Sequence, residues 1–393
     1  MGALSHIKVL DLSRVLAGPW ASQILADLGA EVIKVERPDV GDDTRGWGPP
    51  FLKDPLGDDT AESAYFLCTN RGKQSVCIDM KTEEGRNKIC ELADQSDVVL
   101  ENFKVGGMKQ FGLDYETLSA RNPKLVYCSI TGFGQNGPYK DRPGYDFLVQ
   151  AMGGLMSVTG QPDGSDGAGP QKVGVALTDI MTGLYATIGI LAALAERDRS
   201  GLGQFVDLAL LDVTAATLAN QASNYLVGGQ VPGRLGNAHP NIVPYQSFVA
   251  ADGHLIVAVG NDGQFARFVA ALGCPELAGD ARFVTNQARV LNRDALIPLL
   301  QRKMLDKTKD QWLDILEQAK VPAGPINSVE EVFAEPQIQA REMLIELSHP
   351  HDPCLQLVGN PIKLSRTPVA YARAPPTLGQ HTSEILKRLQ DSQ

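Results

Sequence analysis

Two rhythms of apolar positions run along this chain. Short runs are apolar throughout or alternate; longer stretches repeat their apolar residues every three or four positions. HIKVLDL (6–12) reads as a strand. GPWASQILADLGA reads as a helix, with Pro19 in its first turn and Gly29 at its end. EVIKVERP is a second strand, stopped by Pro38. SVCIDMK, DVVLENF and LVYCSITGFG are further strands, and TEEGRNKICELADQS and DYETLSARNP are the helices between them. Thr82 is placed to cap the first of these helices, ahead of two acids in its opening turn. Strands alternating with helices predict an α/β fold with a parallel sheet and covering helices.

Beyond residue 132 the pattern changes. Residues 133–170 are loop-rich (GFGQNGPYKDRPGYD, then TGQPDGSDGAGP). Residues 179–197 and 207–228 read as two long helices around RSGLGQ, and GQVPGRLGNAHPNIVPY is irregular. From 246 onward QSFVAADGHLIVAVG predicts a hairpin turning at Asp252-Gly253. QFARFVAALG and ALIPLLQRKMLDKTKDQWLDILEQA are helical, so a smaller α+β domain is expected over 240–326. SVEEVFAEPQIQAREML then reads as helix, LQLVGNPIKLS as one or two strands, and TSEILKRLQ as the last helix.

Composition narrows the function. The chain has 393 residues, 43% hydrophobic and 21% charged, with a net charge of −10 and a pI of about 5.2. No basic cluster suggests nucleic acid as a partner. Six cysteines form no CxxC pair, which fits free thiols in a reducing, cytoplasmic setting. The N-terminus lacks a basic segment followed by an apolar one. The longest apolar run, within 183–195, is about 13 residues, short for a bilayer span, so no membrane is expected. The six histidines are scattered without metal-ligand spacing. No G-x-G-x-x-G follows the first strand, yet the carboxyl ends of the strands remain a place for a nucleotide-like ligand.

One residue stands apart. In QKVGVALTDIMTGLYATIGILAAL, Asp179 is the lone acid, and its neighbours in either direction are Asp166 and Glu196. A carboxylate among apolar residues costs free energy unless it is paired. Asp179 is therefore either the N-cap of a helix over 180–195 or a working group.

Six segments in their order resemble the family III CoA-transferases, which include formyl-CoA and carnitine CoA-transferases. They are LDLSRVLAGPWASQILADLGAEVIKVERPDVGDDTRGW, LCTNRGKQSVCIDMKTEEG, VVLENFKVGGMKQFGL, CSITGFGQNGPYKDRPGYD, VGVALTDIMTGLYATIGILAAL and PPTLGQHTSEIL. Within the family, GNAHPNIVPYQSF, NDGQFARFVAALGCPEL and VPAGPINSVEEVFAEPQ are most similar to the succinyl-CoA:glutarate type. The resemblance implies a Rossmann-like large domain built from 1–200 and a return segment 327–393. A linker helix and loop at 201–239 and the inserted small domain complete each chain of an interlocked, ring-like homodimer. It implies CoA thioesters as substrates, with no tightly bound cofactor.

The resemblance also assigns residues. Asp179 falls on the family's catalytic aspartate, which takes up an acyl group as an anhydride and then CoA as a thioester. Covalent catalysis of this kind splits one hard transfer into easier steps. A dry site spares the anhydride from water. Tyr145 stands where the related 2-methylacyl-CoA racemases carry His, and a phenol is far less ready than imidazole to exchange protons near neutral pH. Asp146 aligns with a functional acid of the formyl-CoA type and also suits a local loop hydrogen bond. Leu16 replaces that type's functional Gln, arguing against formyl-CoA/oxalate chemistry. Gly260 and Gly263 in VGNDGQF correspond to a glycine-rich lid offering N–H donors to an oxyanion; an ordinary turn before a helix is the other reading. CoA is expected to meet Val15, Arg37, Arg71, Lys73, Asn102, Phe103, Lys104, Met108 and Lys109. A second substrate carboxylate would need an Arg fork or a His: Arg45, Arg234 and His239 are the candidates. The expected activity is CoA transfer between carboxylic acids. A racemase and a non-catalytic CoA-binding protein are the alternatives.

Overall fold

Burial on both faces makes the strands. Val9, Val98, Leu100, Val126, Cys128 and Ile130 enter one core, while Leu10, Val99 and Tyr127 enter another. Successive side chains of a strand point to opposite faces, so a strand covered on both sides is apolar throughout. The computed structural model describes residues 2–391. It joins six strands in one sheet: β1 (Lys8–Asp11), β2 (Glu31–Glu36), β3 (Lys73–Cys77), β4 (Val98–Glu101), β5 (Val126–Thr131) and β6 (Phe205–Ala209). All neighbours are parallel, in the order β3-β2-β1-β4-β5-β6. Chain order reverses between β1 and β4, which opens a crevice at their carboxyl ends, the usual ligand position in such sheets. The large domain is thus a mixed α/β fold around a parallel sheet.

The chain divides into two compact units. The first comprises Met1–Leu155, Val173–Ala222 and Pro336–Gln393; the second comprises Met156–Lys172 and Ser223–Glu335. Residues 201–222 therefore belong to the first unit, where the sequence reading placed a linker. They supply β6 and the helix Leu210–Thr217. The strand is five residues long and runs directly into that helix, so periodicity alone does not separate them. Residues 156–172 join the second unit instead of the first. The C-terminal helix Thr382–Asp391 seals the β3 side of the sheet by burying Ile385 and Leu389. Cys77 N donates to Thr382 Oγ1 at 3.0 Å. The hairpin Phe51–Lys53/Asp59–Ser63 was not foreseen, and Leu344–Leu347 pairs with Leu355–Val358 where helix was expected to continue up to Leu344.

The helix Leu177–Ser200 has 24 residues, almost twice the apolar run seen in sequence, and is long and apolar enough to cross a membrane by length and composition. One face is buried through Thr182, Gly183, Ala186, Ile190, Ala193 and Leu194, against the helix Ala17–Asp27 and the sheet. Gly183 is required there: a Cβ would lie 2.7 Å from the Ala17 carbonyl oxygen. Leu184, Tyr185 and Ile188 on the same helix are exposed.

The second unit has a three-stranded antiparallel sheet with Gly253–Ala258 between Ala323–Pro325 and Tyr245–Ala250. Its core packs Phe248, Phe265, Phe268, Leu296 and Trp312.

Candidate active site

The helix carrying Asp179 starts at Leu177, two residues earlier than the acid. Ala176, at its N-cap, has no side chain able to cap it. Asp146 does so from another helix: its Oδ2 accepts from Thr178 N at 2.9 Å and from Asp179 N at 3.4 Å. The reading of Asp179 as the cap is thereby corrected. Its own carboxylate stays out of the cap, in the first turn, at the positive end of the helix. Asp146 is fixed in turn by Gln150, one helical turn on, whose Nε2 donates to Asp146 Oδ1 at 2.7 Å. Gln150 is fully buried, and its Oε1 accepts from Val173 N at 2.9 Å. Burial, and then the negative Asp146, push the Asp179 carboxyl up to about 7. Tyr65, absent from the sequence reading, lies near both acids. Burial and the negative charges of Asp179, Cys68 and Asp146 push its phenol up to about 12, so it stays a hydrogen-bond donor. Trp47 packs edge-on against it at 5.2 Å.

Asp179 lines a cavity of about 270 Å³. Val15, Leu16, Asn102, Phe103, Lys104 and Tyr145, all singled out in the sequence, line it as well. The sheet brings them together, because the loops after β1 and β4 flank the crevice. Asn102 ties these loops: its Oδ1 accepts from Arg14 N at 2.9 Å and its Nδ2 donates to Arg14 O at 2.6 Å. Val15 is held at φ 71°, a left-handed conformation that a β-branched residue rarely adopts and that concentrates at functional sites. Its N–H donates to Asp42 Oδ1 at 3.2 Å.

Cations surround this cavity. Arg14, Lys104, Lys140 and Arg142 line it. Arg14 pairs with Asp43 at 2.6 Å and sits 5.2 Å from the Phe103 ring centroid. Sequence reasoning missed Arg14, Lys140 and Arg142, although the segment PYKDRPGYD holds two of them. Arg37 pairs with Asp43 at 2.8 Å and lines an adjoining cavity of about 200 Å³, which shares Arg14 and Phe103. Lys109 and the buried Met108 line a third cavity, of about 330 Å³, together with Lys104.

Other expected ligands are committed inside the protein. Arg71 grips Asp27 with Nε at 2.9 Å and Nη2 at 2.6 Å, and donates to Val358 O. Lys73 is fully buried, bonded to Asp11 Oδ2 at 3.1 Å, Asn70 Oδ1 and Pro19 O. Burial drags its ammonium down to about 8 despite Asp11. Arg45 forks onto Glu36, with both contacts at 2.8 Å, and reaches Glu62 at 2.6 Å. These three were expected to meet CoA or a substrate carboxylate. Their hydrogen-bonding capacity is instead spent on buried acids, as a buried guanidinium or ammonium requires.

The remaining candidates lie in the second unit. Arg234 pairs with Asp163 and donates to Gln161 O. His239 Nδ1 accepts from Asn241 N at 3.0 Å, and its ring is 5.3 Å from that of Tyr245. Burial, then the nearby Arg293, hold its pKa below the usual histidine value. Gly260 N donates to Gln264 Oε1 at 2.7 Å, and Asn261 caps the helix Asp262–Ala271, in whose first turn Gly263 lies. The segment is an exposed capped turn.

Comparison with known proteins agrees with this geometry. The model of CoA-transferase family III matches residues 4–382. A succinate–glutarate CoA-transferase of Agrobacterium fabrum is 52% identical over 98% of this chain and 96% of its own length. The human succinyl-CoA:glutarate CoA-transferase is 44% identical over 98% of this chain and 86% of its own. Among solved structures, a CAIB/BAIF family protein from Brucella suis superposes with a TM-score of 0.86 at 50% identity, covering 99% of each chain. With 4–382 matched and the site's acid and cations in place, the chain belongs to CoA-transferase family III, enzymes that move CoA between carboxylic acids.

Proposed function

We propose that this enzyme moves CoA from succinyl-CoA to glutarate or a similar dicarboxylate through covalent intermediates on Asp179. The observation that carries the reading is the setting of Asp179: a carboxylate excluded from its helix cap, in a cavity ringed by cations and walled by Asn102 and Phe103. The names of the relatives support the choice of acids.

The chemistry follows from that setting. An oxygen of ionised Asp179 adds to the thioester carbonyl carbon, the C–S bond breaks, and CoA leaves as thiolate. Asp179 and the acyl group are then a mixed anhydride. The thiolate adds to Asp179 Cγ, the donor acid departs as carboxylate, and an aspartyl-CoA thioester remains. The acceptor carboxylate adds to Cγ and expels the thiolate, which then attacks the acceptor's acyl carbon. The new thioester leaves, and Asp179 returns as carboxylate. Thioester energy is conserved because water never takes the acyl group. Lys104 and Lys140 serve the CoA phosphates, Arg37 the neighbouring cavity, and Tyr65 donates toward the reacting carboxyl.

Incubation with succinyl-CoA and glutarate, followed by hydroxylamine, tests the reading. Glutaryl-CoA should form, and the peptide containing Asp179 should be recovered as hydroxamate. Transfer that persists in Asp179→Ala overturns it. α-Proton exchange without transfer would instead support a racemase, a reaction for which Tyr145 supplies no imidazole.

A homodimer belongs to the same proposal. Leu184, Tyr185 and Ile188 are exposed, as are Phe147 and Leu148, and Leu184 also lines an apolar recess of about 700 Å³ with Trp20 and Ile180. Apolar surface on this scale marks an interface, and a second copy of the chain is the proposed cover. Light scattering should give twice the chain mass. A cytoplasmic location fits the free thiols of the described residues.

A further inference from the structure

A dicarboxylate brings a second negative group into the site, and the three residues expected to receive it make contacts elsewhere and do not line the Asp179 cavity. Arg45 is sealed between Glu36 and Glu62, Arg234 is held by Asp163, and the His239 Nδ1 takes a backbone N–H. Four cations line the cavity of Asp179. Arg14 is drawn to Asp43 through Nη1 at 2.6 Å, so its charge is already offset by an acid. Lys104 and Lys140 are compact charges on flexible stems, suited to phosphate as point charges.

Arg142 differs from all of these. Among the described residues no ion pair engages its guanidinium. The group lies 3.9 Å from the Tyr139 ring centroid, and Tyr139 rests edge-on against Phe133 at 5.8 Å. Stacking of this kind orients a planar fork while leaving its N–H edge open. The backbone beneath is fixed at both ends. Arg142 N donates to Tyr139 O at 2.9 Å. Two residues on, Gly144 packs directly on Gly132: a Cβ on Gly144 would stand 2.4 Å from Gly132 Cα. Two residues further, Asp146 caps the helix of Asp179. One short segment, stiffened by Pro143, therefore carries both the open guanidinium and the acid that positions the nucleophile.

We propose that Arg142 is the specificity-determining residue of this site, binding the distal carboxylate of a dicarboxylic acid while its other carboxyl group reacts at Asp179. This assignment rests on the functional reading above. A guanidinium presents two parallel N–H donors to a carboxylate, and a monocarboxylic acid of equal length offers them nothing.

The test compares glutarate with pentanoate as acceptors, using succinyl-CoA as donor in both arms so that any donor effect cancels. In Arg142→Gln, the ratio of kcat/KM for glutarate over pentanoate should fall by about 10- to 100-fold, the range of a lost charge-assisted bond. Arg142→Lys should restore part of the ratio, and inhibition by free CoA should stay as in wild type. An unchanged ratio overturns the assignment. So does an equal loss for both acids accompanied by weaker CoA inhibition, which would make Arg142 a phosphate ligand. Wild-type enzyme that transfers CoA to neither acid overturns the functional reading and the assignment together. Wild-type transfer with an unchanged ratio in the variant overturns the assignment alone. Thermal melting of each variant confirms that folded protein is compared.

Discussion

Asp146 Oδ2 stands 2.9 Å from Thr178 N and 3.4 Å from Asp179 N, so one acid caps the helix that presents the other. The arrangement satisfies two N–H groups that the first turn leaves open and spares Asp179 that task. It also places a negative charge beside Asp179, and with burial this holds the carboxyl near 7.

The first prediction concerns pH. Only ionised Asp179 attacks the thioester, so the rate of aspartyl-CoA formation should rise with pH through about 7. Asp146→Asn removes the smaller cause of the shift and should move this limb to lower pH. Burst kinetics with succinyl-CoA between pH 5 and pH 9, roughly two units either side of that value, measure the change. The variant should also lose about 1 kcal/mol of stability. Its amide must turn one donor toward a cap or toward Gln150 Nε2, where an acceptor is wanted.

Stability itself should carry the same signature. The Asp179 pKa is raised in the folded protein above the ordinary aspartate value. The folded state therefore binds the proton more tightly, and stability falls as pH rises from about 4 to about 7, then levels off. Asp179→Asn removes this dependence. It should be more stable than wild type by about 4 kcal/mol at pH 8, about three pKa units at about 1.4 kcal/mol each, and close to it at pH 4, as read from urea melts.

Arg71 and Lys73 should behave as structural residues. Arg71→Leu leaves the buried Asp27 with the Asn360 amide at 2.9 Å and no cation. Lys73→Met leaves Asp11 to the Ser13 and Ser22 hydroxyls. Each should cost about 3–5 kcal/mol, as for a broken buried pair. Inhibition of the folded fraction by CoA should be unchanged, and a specific rise in the CoA inhibition constant would contradict the geometry.

Lys104 and Lys140 should do the opposite. Both line the Asp179 cavity and both are exposed, and among the described residues neither forms an ion pair with an acid. Lys104→Ala with Lys140→Ala should leave the melting temperature in place and raise KM for succinyl-CoA about tenfold. The salt dependence of KM should flatten, since exposed charges are screened. Titration with potassium chloride provides the measurement.

The first five strands of the parallel sheet and the helices between them were legible because they follow from local rules. Val9 and Leu10 are apolar together because both faces of β1 are covered. Thr82 accepts from Gly85 N at 3.0 Å, as its place before two acids implied. Asp179 was legible as an anomaly, a single charge in an apolar run. What distinguishes a free cation from a committed one is not local. Arg71 and Arg142 look alike in sequence, yet Asp27 reaches the first across 44 residues while, among the described residues, no acid pairs with the second and the Tyr139 ring holds it. Likewise β6 joins the sheet because Tyr127 and its neighbours in β5 offer an open edge, a partner distant in the chain. Sequence alone determined which segments fold and which acid is exceptional. The tertiary structure decided which charges face one another, because pairing in a low-dielectric interior depends on distance through space rather than along the chain.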